Sequence, residues 1–364
     1  MTDAAPPRKS RSLLLLAPLL LLAVAAVAWS AGWVWLSRET AARMNAAQAA
    51  LGRSGYQLTW ASRRVEGYPF RLKVLLTDVR FASPTRRGVS APRLEAEAVA
   101  YRPDRWTVVL PAGLTIERPL TGPTKVDGRL IRASVVGTAR GPRVAMEGVD
   151  LRFTPAGGPI LFPLASAGRF EMQYSPRPEG ADEAGLLVRI DNGVAAPGTL
   201  LQRIGVDPKG RLVWEAVLTE ALRLRGADWG GAVRNWTTAG GAMRVLQGEA
   251  AVGDAAVSVG EGRLTVGGDG RLRGALALAV KEAPRSLLTL RGAPAVDSEA
   301  ASRAAAVAEA RQVRPETAEA PATPAPAPAP APPPADPVAQ LRLVFEAGVV
   351  TVGPVALAPA PKIY

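Results

Sequence analysis

Residues 13–36 are apolar at almost every position, interrupted only by Pro18, Ser30 and Gly32. At about 1.5 Å of rise per residue, such a helix matches the roughly 30 Å hydrocarbon core of a bilayer. From residue 37 to 53 the chain is Ala-rich and helix-favouring, with Met44, Ala47 and Leu51 on one narrow stripe. Gly52 and Gly55 supply stop signals. After Tyr56 the period drops to two. Phe70, Leu72 and Val74 alternate with Arg71 and Lys73, and the run goes on to Val79 and Phe81. Leu94, Ala96 and Ala98 alternate with Glu95 and Glu97, followed by Trp106, Val108 and Leu110, then Leu114 and Ile116. Each run is short and closed by Pro, Gly or Asp, which predicts antiparallel, half-buried strands joined by tight turns.

The alternation recurs at Val149, Leu151 and Phe153, at Phe170, Met172 and Tyr174, at Leu186, Val188 and Ile190, and at Leu212, Trp214 and Ala216. Residues 242–281 predict a meander with turns at Gly253-Asp254, Gly260 to Gly262 and Gly267 to Gly270, where Gly and Asp supply positive φ. Short helices are expected at 199–205 and 228–236. The fold class is therefore mainly β: an N-terminal transmembrane helix, then a large antiparallel, meander-rich sheet domain with a few short helices. The expected divisions are a basic tail 1–12, the transmembrane helix 13–36, a helical stalk 37–55 and a β-rich domain 56–297. An Ala-rich helix and Ala/Pro spacer 298–339 and a C-terminal hairpin 340–364 returning to the sheet complete them. The Ala-Pro repeat in the spacer favours an extended, solvated polyproline-like segment.

Charge orients the chain. Arg8, Lys9 and Arg11 precede the apolar stretch and no acid lies between Asp3 and Glu39, which predicts a cytoplasmic N-terminus and a bulk across the membrane. Leu13, Leu22 and Leu36 anchor the span, and Trp29, Trp33 and Trp35 stand where an aromatic belt meets the headgroups. A cleaved signal peptide, with Ala26 and Ala28 near the cut, is the competing reading. Both put the bulk outside the cytoplasm. The net charge of +12 is spread singly along the strands, the longest basic runs being Arg63-Arg64 and Arg86-Arg87. This favours a solvated basic face or anionic lipid headgroups over nucleic acid.

Histidine and cysteine are both absent. That removes the thiol nucleophile, the His-based triad and the usual transition-metal ligands, so no cofactor and no metal site are expected. Asp78, Asp104, Asp127, Asp150 and Asp191 are the remaining acid–base candidates. Their spacing brings no two together, and they are expected at strand ends, where Asp serves turns. The glycines at 260–262 and 267–270 lack the strand–loop–helix context of a phosphate loop and read as hairpin turns. At Gly67-Tyr68-Pro69-Phe70, proline favours extended Tyr68, so Phe70 is expected to be the first core residue of a strand. A contact near the membrane or with a partner is the functional alternative.

Trp60, the box Gly67-Tyr68-Pro69-Phe70-Arg71, the segment AYRPDRWTVVLP at 100–111 and the terminal GVVTVGPVALAPAPKIY stand in one recognisable order. In these the chain resembles the bacterial membrane-anchored family catalogued as domain of unknown function 2125, over residues 10–364 apart from the Ala-Pro insert. The resemblance implies no activity and no catalytic residues. Residues 242–281 are also similar in style to AsmA-like envelope proteins, which implies inner-membrane anchoring and lipid traffic. The expected protein is non-catalytic: a single-pass inner-membrane protein with a periplasmic β-rich domain that contacts or handles lipid. Its expected partners are the lipid bilayer and anionic lipid or an envelope protein, with no nucleic acid. The alternative is an assembly module that recruits a partner through sheet edges and the Pro-rich spacer.

Overall fold

The computed structural model describes residues 12–119, 122–158, 162–177, 182–199, 202, 209–226, 228–253, 255–281, 283–289, 291, 296–313 and 338–364. The basic tail, the side chain of Leu13, most of the expected helix 199–205, Asp254 and the Ala-Pro repeat lie outside these residues.

Helix α1 (Ser12–Arg53) is one continuous rod. Its first half is long and apolar enough to cross a membrane, and Leu19, Leu22 and Val27 in it are largely exposed. Gly55 ends it with φ +77°, while Tyr56 N–H donates to the Leu51 carbonyl. That is the glycine-closed Schellman arrangement, so Gly55 rather than Gly52 is the stop.

The strands follow as β1 (Gln57–Thr59), β2 (Ser62–Glu66), β3 (Arg71–Ala82), β4 (Gly88–Val99), β5 (Arg102–Val109) and β6 (Leu114–Glu117). Then come β7 (Thr124–Asp127), β8 (Leu130–Thr138), β9 (Gly141–Pro155), β10 (Leu164–Pro176), β11 (Glu183–Ala195) and β12 (Lys209–Thr219). A 3₁₀ turn (Ala221–Arg223) and α2 (Trp229–Thr238) precede β13 (Met243–Val252), β14 (Ala255–Val266) and β15 (Leu272–Lys281). Helices α3 (Ala283–Thr289) and α4 (Ser298–Ala310) lead to β16 (Gln312–Val313), β17 (Val338–Glu346), β18 (Val349–Val352) and β19 (Val355–Pro359).

Among the described residues these strands form one 19-stranded sheet, antiparallel at every pairing. From β8 to β15 it is a meander in which each strand pairs with the one before it. β1 and β2 share the outer edge of β3. β5 and β6 together run along β4, β7 and β8 together run along β9, and β17 pairs with β15.

The alternation slips along one line across the sheet. In β3 the buried residues are Leu72, Val74 and Leu76, then Val79; in β9 they are Gly148, then Leu151. At each slip an Asx residue takes a left-handed φ: Asp78 (+50°), Asp150 (+53°) and Asn192 (+51°). Neighbouring strands carry Pro92 opposite Asp78, Gly113 (φ +71°) opposite Asp127, Arg129 opposite Asp150, and Gly168 opposite both Asp150 and Asn192. Each slip kinks its strand yet returns the apolar residues to the same face. Asp78 and Asp150 therefore sit inside strands, not at their ends, because short polar side chains tolerate this conformation. Replacing Asp150 by Val should destabilise the fold by about 1–2 kcal/mol. Asp150→Asn, which keeps the conformational tolerance and loses only the charge, should stay within about 0.5 kcal/mol in urea melts.

One further expectation is corrected. Gly260 to Gly262 is no turn: it lies inside β14, where the register with β15 shifts between Val259 and Gly262. The expected Ala-rich helix is present, and it belongs to the core. In α4, Ala300, Ala301, Ala304, Ala305 and Ala308 are buried against Leu341, Val352 and Leu357, and only small residues let a helix lie so close to a sheet. Asp297 caps its first turn by accepting from Ala300 N–H at 2.8 Å.

The two ends of the meander meet. Trp229 N–H donates to the Tyr56 hydroxyl (2.9 Å), and Trp229 Nε1–H to the Ile363 carbonyl (3.1 Å). The tail beyond β19 is tied to the β14–β15 turn by Ile363 N–H to the Gly270 carbonyl.

Candidate functional site

The register of the meander puts apolar residues in rows that run from strand to strand. One row is Trp106, Val135, Val144, Tyr174, Leu186 and Ala216. The next is Val108, Ala133, Met146, Met172, Val188 and Trp214, and a third runs through Ile131, Gly148, Phe170, Ile190 and Leu212. All three rows lie on one face. Among the described residues, helices cover that face towards its ends: the outer half of α1 packs Met44 beside Val74 and Leu76, while α3 and α4 lie over Val280, Ala339 and Leu341. Between them, Trp106, Val135, Val144, Met172, Leu186 and Val188 are half-buried and Met146 is 40% exposed. A flat bare sheet would leave such side chains mostly in water. Among the described residues these side chains form a half-buried apolar stretch, the trough, between the helix-covered ends.

Burial, helped by the charge of Asp182, raises the Tyr174 phenol above its usual value. The first row ends beside α1. A cleft of about 530 Å³ separates the helix from β5; Trp35, Leu36, Met44, Ala47, Pro103 and Trp106 form its apolar wall, and Glu39, Thr40, Arg43 and Asp104 its polar rim. Trp106 thus stands at once in the wall of this cleft and at the head of the first apolar row.

The opposite face carries the charge. Arg132 pairs with Glu147 (2.6 Å), Glu147 with Arg169 (2.9 Å) and Arg169 with Glu171 (2.6 Å), and Arg211 faces Asp191 (3.5 Å). The basic residues that looked scattered in the sequence therefore form a cross-strand ladder with acids, largely solvated. Of the five candidate carboxylates, Asp191 has a partner of this kind in Arg211, and three more stand in exposed pairs: Asp150 with Arg129 (2.8 Å), Asp127 with Lys125 (3.1 Å) and Asp104 with Arg105 (3.8 Å). Among the described residues no three acids converge as a metal-holding group.

Further along this face, Lys73 Nζ lies 2.8 Å from Glu95. The hydrogen bond from Lys73 holds the Glu95 carboxyl below its ordinary 4.5, and the same bond raises Lys73 above 10.5. Glu95 thus contributes stability above its ordinary pKa that is lost as pH falls through the lowered value. Lys73 contributes below 10.5, and this is lost as pH rises through the raised value. In Lys73→Met, a ¹³C titration should find the Glu95 carboxyl part of the way back up, Arg93 still holding it. Stability at neutral pH should fall by under about 1 kcal/mol.

The Gly67 box sits elsewhere than expected. It is the β2–β3 turn, with a cis Tyr68–Pro69 bond and Gly67 at φ +105°. Phe70 is 63% exposed and is not a core residue; the strand's first buried residue is Leu72. The turn rests on α1 instead. Trp29 Nε1–H donates to the Pro69 carbonyl and Trp33 Nε1–H to the Arg71 carbonyl, both at 2.9 Å. Ser30 Oγ and Tyr68 OH are 2.8 Å apart, and Tyr68 meets Trp33 edge-on at 5.6 Å. Trp60 packs with Val74 and Leu76, and Arg63 lies over its ring at 5.7 Å. Two of the three anchor tryptophans thus bind the box. The third, Trp35, is 64% exposed beside the cleft, where Leu36 also lies, and Leu22 is exposed along the bare part of α1. Sequence reasoning did not single out Trp106, Tyr174 or Met146 as a site; their apolar alternation was visible, but only the strand register makes it a row.

The family model described as "Uncharacterized protein conserved in bacteria (DUF2125)" matches residues 33–361. The chain belongs to that family. The match takes in the whole sheet of this DUF2125 protein and starts only at Trp33, so most of the apolar half of α1 lies outside it. No curated protein and no solved structure matches, and the likeness to AsmA-like proteins has no match behind it. The mapped parts of the DUF2125 chain include the Gly67 box, the trough and the cleft beside α1.

Proposed function

We propose that this DUF2125 protein is a single-pass inner-membrane protein whose sheet stands in the periplasm and takes lipid acyl chains into its trough, without catalysis. The observation that carries this reading is the set of apolar rows opening, at Trp106, onto the cleft beside α1. An acyl chain needs a long apolar surface without charges, reachable from the bilayer. The rows offer the surface, and a cleft that begins at Trp35 and Leu36 offers the access. Arg8, Lys9 and Arg11 before the span support the orientation. The opposite face, with its ladder of ion pairs, faces water.

The test uses full-length protein in phosphatidylethanolamine/phosphatidylglycerol nanodiscs with lipids carrying a diazirine on the acyl chain. After photolysis, adducts are expected on peptides covering residues 144–146, 172–174 and 186–188. Adducts confined to residues 13–36 would leave an anchor and no lipid-handling trough.

A further inference from the structure

The β2–β3 turn presents Tyr68 (55% exposed) and Phe70 (63% exposed) beside the tryptophans of α1, with Trp29 and Phe70 rings 6.2 Å apart. A second turn lies next to it: Ala100 N–H donates to the Phe70 carbonyl (2.9 Å), so Val99 (38% exposed) and Tyr101 (67% exposed) continue the same patch. Large apolar and aromatic side chains clustered this openly are unusual on a water-facing surface. Their position along α1 says what meets them. From residue 13 to Trp29 and Trp33 the helix rises about 24 and 30 Å, the thickness of a hydrocarbon core. The turn that accepts hydrogen bonds from those two indoles therefore lies at the boundary between acyl chains and headgroups. Tyrosine and tryptophan favour this layer because the ring is apolar and its O–H or N–H is not.

We infer that the two turns form an interfacial wedge: Tyr68, Phe70 and Tyr101 sit in the outer headgroup layer and dock the sheet on the bilayer at a fixed orientation. The hydrogen bonds from Trp29 and Trp33 make helix and wedge one rigid body, and this holds the cleft between α1 and β5 at the membrane surface. The inference rests on α1 spanning the bilayer, as proposed above, but not on lipid entering the trough.

The chain has no cysteine, so one introduced thiol is labelled uniquely. Phe70→Cys and Tyr101→Cys, both exposed, and Thr238→Cys in α2 as a reference, would be prepared as full-length chains and labelled with an environment-sensitive fluorophore. They are then reconstituted into phosphatidylethanolamine/phosphatidylglycerol nanodiscs. Labels at 70 and 101 should be blue-shifted and quenched several-fold more than that at 238 by nitroxide carried on the upper acyl chain, and shielded from aqueous iodide. Quenching at 70 and 101 equal to that at 238 would overturn the wedge. So would shielding from both lipid-borne and aqueous quenchers, which marks a protein partner or a second copy. Adducts in the trough with unquenched labels at 70 and 101 would sink the wedge alone; quenched labels without trough adducts would sink only the lipid-handling reading.

Discussion

Full-length protein carrying Met146→Asp and Val188→Asp should lose trough crosslinking to acyl chains while remaining folded. Both side chains lie in one apolar row, joined through Met172 by the register of β9, β10 and β11. Neither is fully buried, Met146 being 40% exposed, so carboxylates there can reach water in the empty protein. An acyl chain laid across them would have to strip that water. Losing contact with about four methylenes costs roughly 3 kcal/mol at 0.8 kcal/mol each, which is a fall in affinity of about a hundredfold. The unchanged urea midpoint separates this from unfolding, and Met146→Leu, similar in volume and apolarity, should retain crosslinking. If the double aspartate variant binds as the parent does, the trough is not where lipid goes.

The largest loss of stability is expected on the deepest residue of β3. Leu72 is 0% exposed, opposite Ala98, in the strand that carries the packing of α1. Leu72→Ala removes its apolar contacts and leaves a cavity that an antiparallel sheet paired on both sides cannot close. The expected cost is about 2–5 kcal/mol, read as a lower urea midpoint with unchanged slope. Leu75→Ala, half-buried on the opposite face of the same strand, should cost less than half as much. Equal losses at the two positions would mean that the alternation does not define an inside.

Particular residues show how far the pattern could be read. Leu72, Val74 and Leu76 announce a strand with one buried face because side chains in a strand alternate, and this holds whatever the strand pairs with. The slip from Leu76 to Val79 is also written in the chain, but Asp78 there reads as a turn. Only its alignment with Pro92, and the matching slips at Asp150 and Asn192, make it part of a kink line. Phe70 misled for a related reason: a large apolar residue at the head of a strand reads as core, and its exposure depends on a helix forty residues earlier. Some arginines find partners close in space and distant in sequence, as Arg132 does in Glu147 and Arg211 in Asp191, and no local pattern announces these pairs.

By itself the sequence determined the mainly β, antiparallel class, the single long apolar helix at the N-terminus and the family. These follow from local periodicity, composition and short motifs, each confined to a few neighbouring residues. The tertiary structure alone decided which strands stand side by side, and so that Trp106, Val135, Val144, Tyr174 and Leu186 form a row. It alone decided, too, that the Gly67 box rests on Trp29 and Trp33. Strand register and helix docking are set by contacts summed over the whole molecule, and one residue of slip would turn every row to the other face.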